Sequence, residues 1–239
     1  MTSNLICFVA GTRDCYDGFL NSSLNRFLNH VDARCRVMQG NPEGLGAVYN
    51  QAIDQLLEEP GWDIAVFVHD DVDIQDLYYA QKLQRALETF DVVGLAGTAT
   101  LPISNRTMWH VSPKNQHSGA VAHPFPPGSG SNLFSVASFG PTPRCCIVVD
   151  GLFMAVRVDT LRRHPEVRFD HQFKFYYYDL DFCLTAHAAG LRIGTWPIWV
   201  THQSPGLDSW DNVAWQRARD RFNAKWGGPN GYRVTGDYR

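Results

Sequence analysis

The apolar positions of this chain follow two periods, short unbroken runs and helical spacing, and their alternation predicts the architecture. Residues 5–10 form an apolar run ended by Gly11-Thr12-Arg13, which reads as a strand and a loop. Tyr16, Phe19, Leu20, Leu24, Phe27, Leu28 and Val31 then recur at helical spacing. Residues 35–38 predict a second strand, followed by a Gly- and Pro-rich loop over 39–46. A helix over 47–57 carries Val48, Ala52, Ile53, Leu56 and Leu57 on one side. Residues 64–68 are five apolar residues in a row, the mark of a strand buried on both faces. A helix over 75–90 and a strand over 92–96 follow. Strand and helix in strict alternation predict βαβ units, hence an α/β fold with a mostly parallel central sheet flanked by helices.

From residue 97 to 144 the regular pattern gives way to Pro, Gly, Ser and Asn, with Trp109, His110, His117 and His123 among them. A structureless loop of that length does not suit a compact domain, so hairpins and an ordered lid over a site are expected. The histidine spacing fits no compact metal motif, which leaves surface or substrate-contact roles for the three. Regular structure resumes over 145–156 as a strand interrupted by Asp150-Gly151, then as a short helix over 158–163. Residues 179–189 predict a helix with Leu180, Cys183, Leu184 and His187 on its buried side and Gly190 as its stop. A last strand is expected over 193–200 and a C-terminal helix over 210–226.

Composition narrows the class. The chain has 239 residues, 44% apolar and 19% charged, which describes an ordinary globular core of single-domain size. A net charge of −3 gives no global argument for nucleic acid as a partner. Six cysteines without CxxC spacing suit buried thiols in a reducing compartment rather than disulfides or zinc. The N-terminus lacks the charged region of a signal peptide and no run reaches transmembrane length, so the expected location is the cytoplasm.

Chemistry concentrates after the 64–68 strand, where His69, Asp70, Asp71 and Asp73 crowd one strand end. In open α/β sheets ligands bind beyond the carboxyl ends of the strands. Clustered carboxylates repel, so a hard divalent cation carrying a phosphate is the expected occupant, against the plainer reading of a solvated acidic turn. The loops at Gly11-Thr12-Arg13 and Gly44-Leu45-Gly46 open at the same sheet edge, where backbone N–H groups suit phosphate, although Gly44-Leu45-Gly46 also reads as ordinary turn chemistry. Neither GxGxxG nor GxxxxGK[ST] occurs, which counts against the commonest dinucleotide and P-loop classes. Asp179 at a helix start has two readings, an N-cap or an ionised general base, while Asp181 points elsewhere on that helix. His202 has two readings, the structural one usual for a lone histidine and, from its place directly after a strand among polar residues, a ligand for metal or phosphate.

The order Asp-Asp at a strand end, Asp-Gly in a late strand, Phe-Asp…Tyr-Asp-Leu-Asp opening a helix, then a strand and His-x-Ser resembles nucleotide-sugar glycosyltransferases of the GT-A fold. It is most similar to the family 2-like group that includes the small StrF-type domains associated with streptomycin biosynthesis. The resemblance implies one GT-A domain over 1–239: a nucleotide-binding half (1–97), an insert with the acceptor and catalytic half (98–206), and a C-terminal helix and tail (207–239). It implies a metal-dependent transfer of sugar from a nucleotide-diphosphate sugar to an acceptor hydroxyl, inverting, with Mn²⁺ or Mg²⁺ as cofactor. Asp71 takes the metal-binding role with Asp70 or Asp73 assisting, and His202 matches a third ligand position. Ala10, Thr12, Arg13, Gly44, Asn50 and Asp70 fall on the nucleotide side. Asp150, Gly151, Trp109, Tyr178 and Asp181 fall on the sugar and acceptor side, and Asp179 is the base. The sequence departs from the family in reading His-Asp-Asp-Val-Asp at the metal element and Tyr178 where relatives carry the Glu of the base motif.

The acceptor class stays open among a glycan, a lipid-linked molecule and a small molecule. Two other functions use the same parts: a nucleotidyltransferase or phosphoesterase on the acidic site, and a non-catalytic nucleotide-sugar binder. The tail, with Arg217, Arg219, Arg221 and Lys225 among Trp215, Phe222 and Trp226, reads either as a peripheral membrane contact or as a helix packed on the sheet; packing is the expectation.

Overall fold

A computed structural model describes residues 5–12, 16–31, 34–38, 43–125, 133–204 and 213–233. In chain order the strands are β1 (Ile6–Gly11), β2 (Arg34–Met38), β3 (Ile64–Val68), β4 (Val72–Ile74), β5 (Val92–Gly94), β6 (Ala96–Thr98), β7 (Thr100–Leu101) and β8 (His117–Pro124). They continue as β9 (Phe134–Gly140), β10 (Arg144–Cys146), β11 (Val148–Val149), β12 (Phe153–Arg157), β13 (Ile193–Thr195), β14 (Val200–His202) and β15 (Tyr232–Arg233). The helices are α1 (Tyr16–Leu20), α2 (Ser23–Val31), α3 (Leu45–Glu58), α4 (Tyr79–Thr89), α5 (Val158–Arg163), α6 (Tyr178–Ala188) and α7 (Val213–Trp226).

The main sheet has 7 strands in the order β10-β13-β5-β12-β3-β1-β2. β3, beside the central β12, is buried at every residue, as an unbroken apolar run requires. The expected mostly parallel sheet is instead mixed. β1 pairs parallel with β2 and β3, and β13 with β5, but β12 lies antiparallel between β3 and β5. The cause is the direction of return. The chain leaves β11 at Val149 and turns at Asp150-Gly151 beside the carboxyl edge of β3, so it re-enters the sheet from that edge and must run backward. This places Phe153 opposite Val68, and the His69 N–H donates to Leu152 O at 3.1 Å.

A second mixed sheet, with β11-β6-β8-β14-β4 in order and β9 on β8, stands beside the first. Three runs expected as single strands are each divided between the two sheets: β5 from β6, β10 from β11, and β13 from β14. At the last break Pro197, which has no N–H to donate, sits in the crossover between β13 and β14. At the first, Gly94 lets the sheets close up, since a Cβ there would lie 2.4 Å from Val149 Cβ.

The helix expected from residue 75 begins at Tyr79 because Val72–Ile74 is spent on β4, which pairs antiparallel with β14. Asp76 closes the intervening turn, accepting from the Tyr78 N–H at 3.0 Å and from Lys82 Nζ at 2.6 Å. The 98–144 insert is ordered over its described residues as short 3₁₀ turns and the β8–β9 hairpin. His187, expected inside, is exposed. α7 packs, with Trp215, Ala218 and Phe222 buried and Phe222 stacked on Tyr177 (centroids 5.2 Å apart). No helix among the described residues is long and apolar enough to cross a membrane.

Candidate active site

The antiparallel entry of β12 decides the site, because it brings Asp150-Gly151-Leu152 against the carboxyl end of β3. His69, Asp71 and His202 collect there, each offering a ligand atom within 4.8 Å of the others. His202 arrives on β14, which pairs His202 with Val72 just past the acids. Its Nε2 lies 3.2 Å from Asp71 Oδ1, and His69 Nδ1 lies 4.0 Å from the same oxygen. Burial pushes the Asp71 carboxyl up, but His202 and then His69 outweigh it and hold it below the usual range. Burial also opposes charge on His202, yet Asp71 and then Asp150 raise its proton affinity.

Asp71 Oδ1 and His202 Nε2 are both buried and neither has a hydrogen-bond partner among the described residues, although they face each other. Two imidazoles and a carboxylate with such orphaned atoms fit a divalent cation.

On the other side of the same turn, Asp179 in the first turn of α6 accepts from the Gly151 N–H at 2.9 Å. Dense packing around the carboxyl, and then the charge of Asp150, push Asp179 up to about 7. The stabilising pull of a helix N-terminus loses to these two effects, so the ionised carboxylate expected from position alone is instead a group poised to exchange a proton near neutrality. Asp150 is held at both oxygens, Oδ2 by Trp109 Nε1–H at 3.1 Å and Oδ1 by the Leu152 N–H at 3.1 Å. Trp109 stands on a 3₁₀ turn, Trp109–Val111, so the insert supplies one wall of the site. Gly151 has no room for a side chain: a Cβ would lie 2.3 Å from Tyr178 Oη and 2.9 Å from Asp179 Cβ.

The preceding residue, Tyr177, has φ 67° and is the one non-glycine residue with positive φ among the described residues. A bulky residue in the left-handed region costs of order 1–2 kcal/mol and persists only where packing enforces it. Here the Phe222 and Trp215 rings of α7 do so.

Other expected site residues lie elsewhere or are occupied. Asp70, half-buried, joins Asp179 and Asp71 in bearing on the buried Tyr49 hydroxyl, but it is not in the metal-ligand group. Asp73 sits between the inward-facing Val72 and Ile74 and is likewise outside that group. Asp181 is fully buried and turned toward α7, where Trp226 Nε1–H and Lys225 Nζ each reach its Oδ1 at 2.8 Å. Asn50 spends its whole amide on one backbone unit, donating to Phe169 O at 2.7 Å and accepting from the Phe169 N–H at 3.0 Å. The Gly44 loop docks protein: the Leu45 N–H donates to Lys174 O at 2.6 Å. Gly44 has φ +98°, and a Cβ would lie 2.4 Å from that carbonyl oxygen. Ala10 and Thr12 are buried at the end of β1, and Arg13 lies outside the described residues.

His117 is buried, its Nε2 3.0 Å from Ser112 Oγ, while the His123 ring lies 5.9 Å from that of His202. His69 was not among the expected ligands. Its signal was proximity, since His69 opens the turn that carries Asp71, closed by the Val72 N–H donating to His69 O at 3.3 Å.

The fold is mixed α/β and resembles that of GT-A glycosyltransferases. It superposes on GalNAc-T7, solved with UDP, GalNAc and Mn²⁺, with a TM-score of 0.54 at 10% identity, over 93% of this chain and 48% of that one. A mannosyltransferase from Pyrobaculum calidifontis, solved with GDP-Man and Mn²⁺, gives 0.49 at 11% identity over 85% and 58%, and A197 from STIV gives 0.49 at 12% over 80% of each chain. Residues 43–226 match the model of the glycosyltransferase-like family, and the protein belongs to that family. No curated protein sequence matches it.

Proposed function

We propose that this protein is a metal-dependent glycosyltransferase that moves a sugar from a nucleotide-diphosphate donor to an acceptor hydroxyl with inversion. The observation that carries the proposal is that Gly151 joins a metal-ligand cluster to a proton-exchanging carboxylate. Its N–H holds Asp179, and its carbonyl accepts from Tyr178, which contacts His69. Family membership and the Mn²⁺-bearing GalNAc-T7 structure support the same reading.

Asp71, His202 and His69 would hold Mn²⁺ or Mg²⁺. When bound, the cation acts as a Lewis acid toward charge developing on the departing diphosphate. The acceptor hydroxyl gives its proton to Asp179, whose high proton affinity at neutral pH suits a general base. Asp150, fixed at both oxygens, orients a hydroxyl of sugar or acceptor without rotating itself. The strained turn at Tyr177 fixes the direction in which Asp179 leaves the helix.

A thermal-shift panel of UDP-, GDP- and dTDP-sugars, with and without Mn²⁺, tests the reading. One donor class should raise the melting temperature only when Mn²⁺ is present, and that donor should then be turned over. A flat panel would remove the proposal.

A further inference from the structure

Tyr178 stands where relatives are expected to carry a carboxylate, and its hydroxyl has two neighbours: Gly151 O at 3.1 Å and His69 Nε2 at 2.7 Å. A phenol has one proton to give, and a carbonyl oxygen can only accept. If Tyr178 donated to His69, Gly151 O would lose that bond in a buried place. If Tyr178 donates to Gly151 O, its oxygen is free to accept from His69 Nε2–H, and both contacts are satisfied. Buried polar groups adopt the fully paired arrangement.

We infer that Tyr178 is a positioning residue that fixes His69 as the Nε2–H tautomer and so dedicates the Nδ1 lone pair to a cation shared with Asp71 and His202. The ring that donates its outer N–H to a fixed oxygen is the usual way an imidazole ligand is oriented and its basicity raised. Here the oxygen is itself tied to Gly151, whose N–H binds Asp179. The cation side and the base side therefore share one hydrogen-bonded line, His69–Tyr178–Gly151–Asp179. A site with two nitrogen donors and one carboxylate prefers Mn²⁺ or a later first-row ion over Mg²⁺, which favours oxygen ligands.

The inference rests on the proposed metal site, and its test is read in the protein alone, with Mn²⁺ as the probe and no sugar donor. Tyr178→Phe keeps the ring, which is 3% exposed and packed against Tyr49 and Phe169, and removes only the hydroxyl. Mn²⁺ titrated by electron paramagnetic resonance should bind Tyr178→Phe about 10- to 100-fold more weakly than wild type. His69→Ala should lose at least as much, and adding Tyr178→Phe to it should change nothing further. A long-range ¹H–¹⁵N spectrum of metal-free protein, assigned with the His69 variant, should show one Nε2–H tautomer that becomes a mixture in Tyr178→Phe. Should Tyr178→Phe misfold, the wild-type spectrum and His69→Gln still decide the matter, through the tautomer and the Mn²⁺/Mg²⁺ preference.

Unchanged Mn²⁺ affinity in Tyr178→Phe, additive losses in the double variant, an Nδ1–H tautomer, or no Mn²⁺ binding by wild type would each overturn the inference. A flat sugar panel with Mn²⁺ binding that still depends on His69 and Tyr178 would remove the glycosyltransferase reading and leave this one standing.

Discussion

The Gly44–Asn50 segment, a glycine turn running into the start of α3, and the turn at the end of β3 both open at the carboxyl edge of a parallel pair, yet they are built for opposite ends. In the first, the Asn50 amide and the leading N–H of the helix are used by the protein itself. Asn50 is bonded twice to Phe169, and the Leu45 N–H at the helix start is taken by Lys174 O. In the second, Asp71 Oδ1 and His202 Nε2 are buried 3.2 Å apart with only each other to face and no well-formed hydrogen bond among the described residues. Folding does not leave buried polar atoms unpaired without reason. The pairing of a loop's polar atoms, more than their number, separates a joint in the scaffold from a place for a ligand.

The comparison can be broken at either end. The largest effect is expected at the turn: Asp179→Asn should lower transfer about 10²- to 10⁴-fold while leaving Mn²⁺-dependent nucleotide binding in place, measured by steady-state transfer beside the thermal-shift panel. Retained activity would take the base away from Asp179. In the scaffold segment the outcome should invert. Asn50→Ala should cost about 2–4 kcal/mol of stability by stranding the Phe169 backbone, read by urea unfolding, with nucleotide affinity of the folded protein unchanged. An Asn50 variant that keeps its stability and loses nucleotide would reverse the assignment of the two loops.

The smallest effect is one of pH. Asp179 keeps its proton in the fold to about pH 7, against the ordinary 3.8 once the chain is open. Its contribution to stability is therefore complete below the lower value and lost as pH rises through the upper one. Asp179→Asn should match wild type near pH 4 and exceed it at pH 8 by about 1–3 kcal/mol, seen as a higher melting temperature at pH 8 only.

Much of this was legible from periodicity. The buried β3 run, α3, α6 and the packing of α7 follow from apolar spacing, and Asp71, Asp150 and Asp179 stood out as charges beside apolar segments. The reversal of β12 was not legible, because strand direction is set by where the 98–149 segment ends in space, and no local residue records it. The divided strands escaped for a similar reason: apolar runs such as 92–96 look continuous until Gly94 and Pro197 are placed between two sheets. The contacts of Asn50 and Asp181 were not legible because their partners, Phe169 and Lys225, are distant in sequence. The place of His69 beside Asp71 was not legible because it depends on the turn closed by the Val72 N–H and His69 O.

The contact between Lys225 and Asp181 bears on the order in which the molecule can be completed. Asp181 is fully enclosed in the helix that opens with Asp179, and its compensating cation comes from α7, where Lys225 also reaches Asp170 at 2.8 Å. A buried carboxylate without its cation is strongly disfavoured. During synthesis α6 emerges well before residue 225, so through that interval Asp181 lacks its counter-charge and Tyr177 lacks the rings that pack on its turn. The pairing of Asp181 and the packing of the Tyr177 turn are complete only when the last helix has docked.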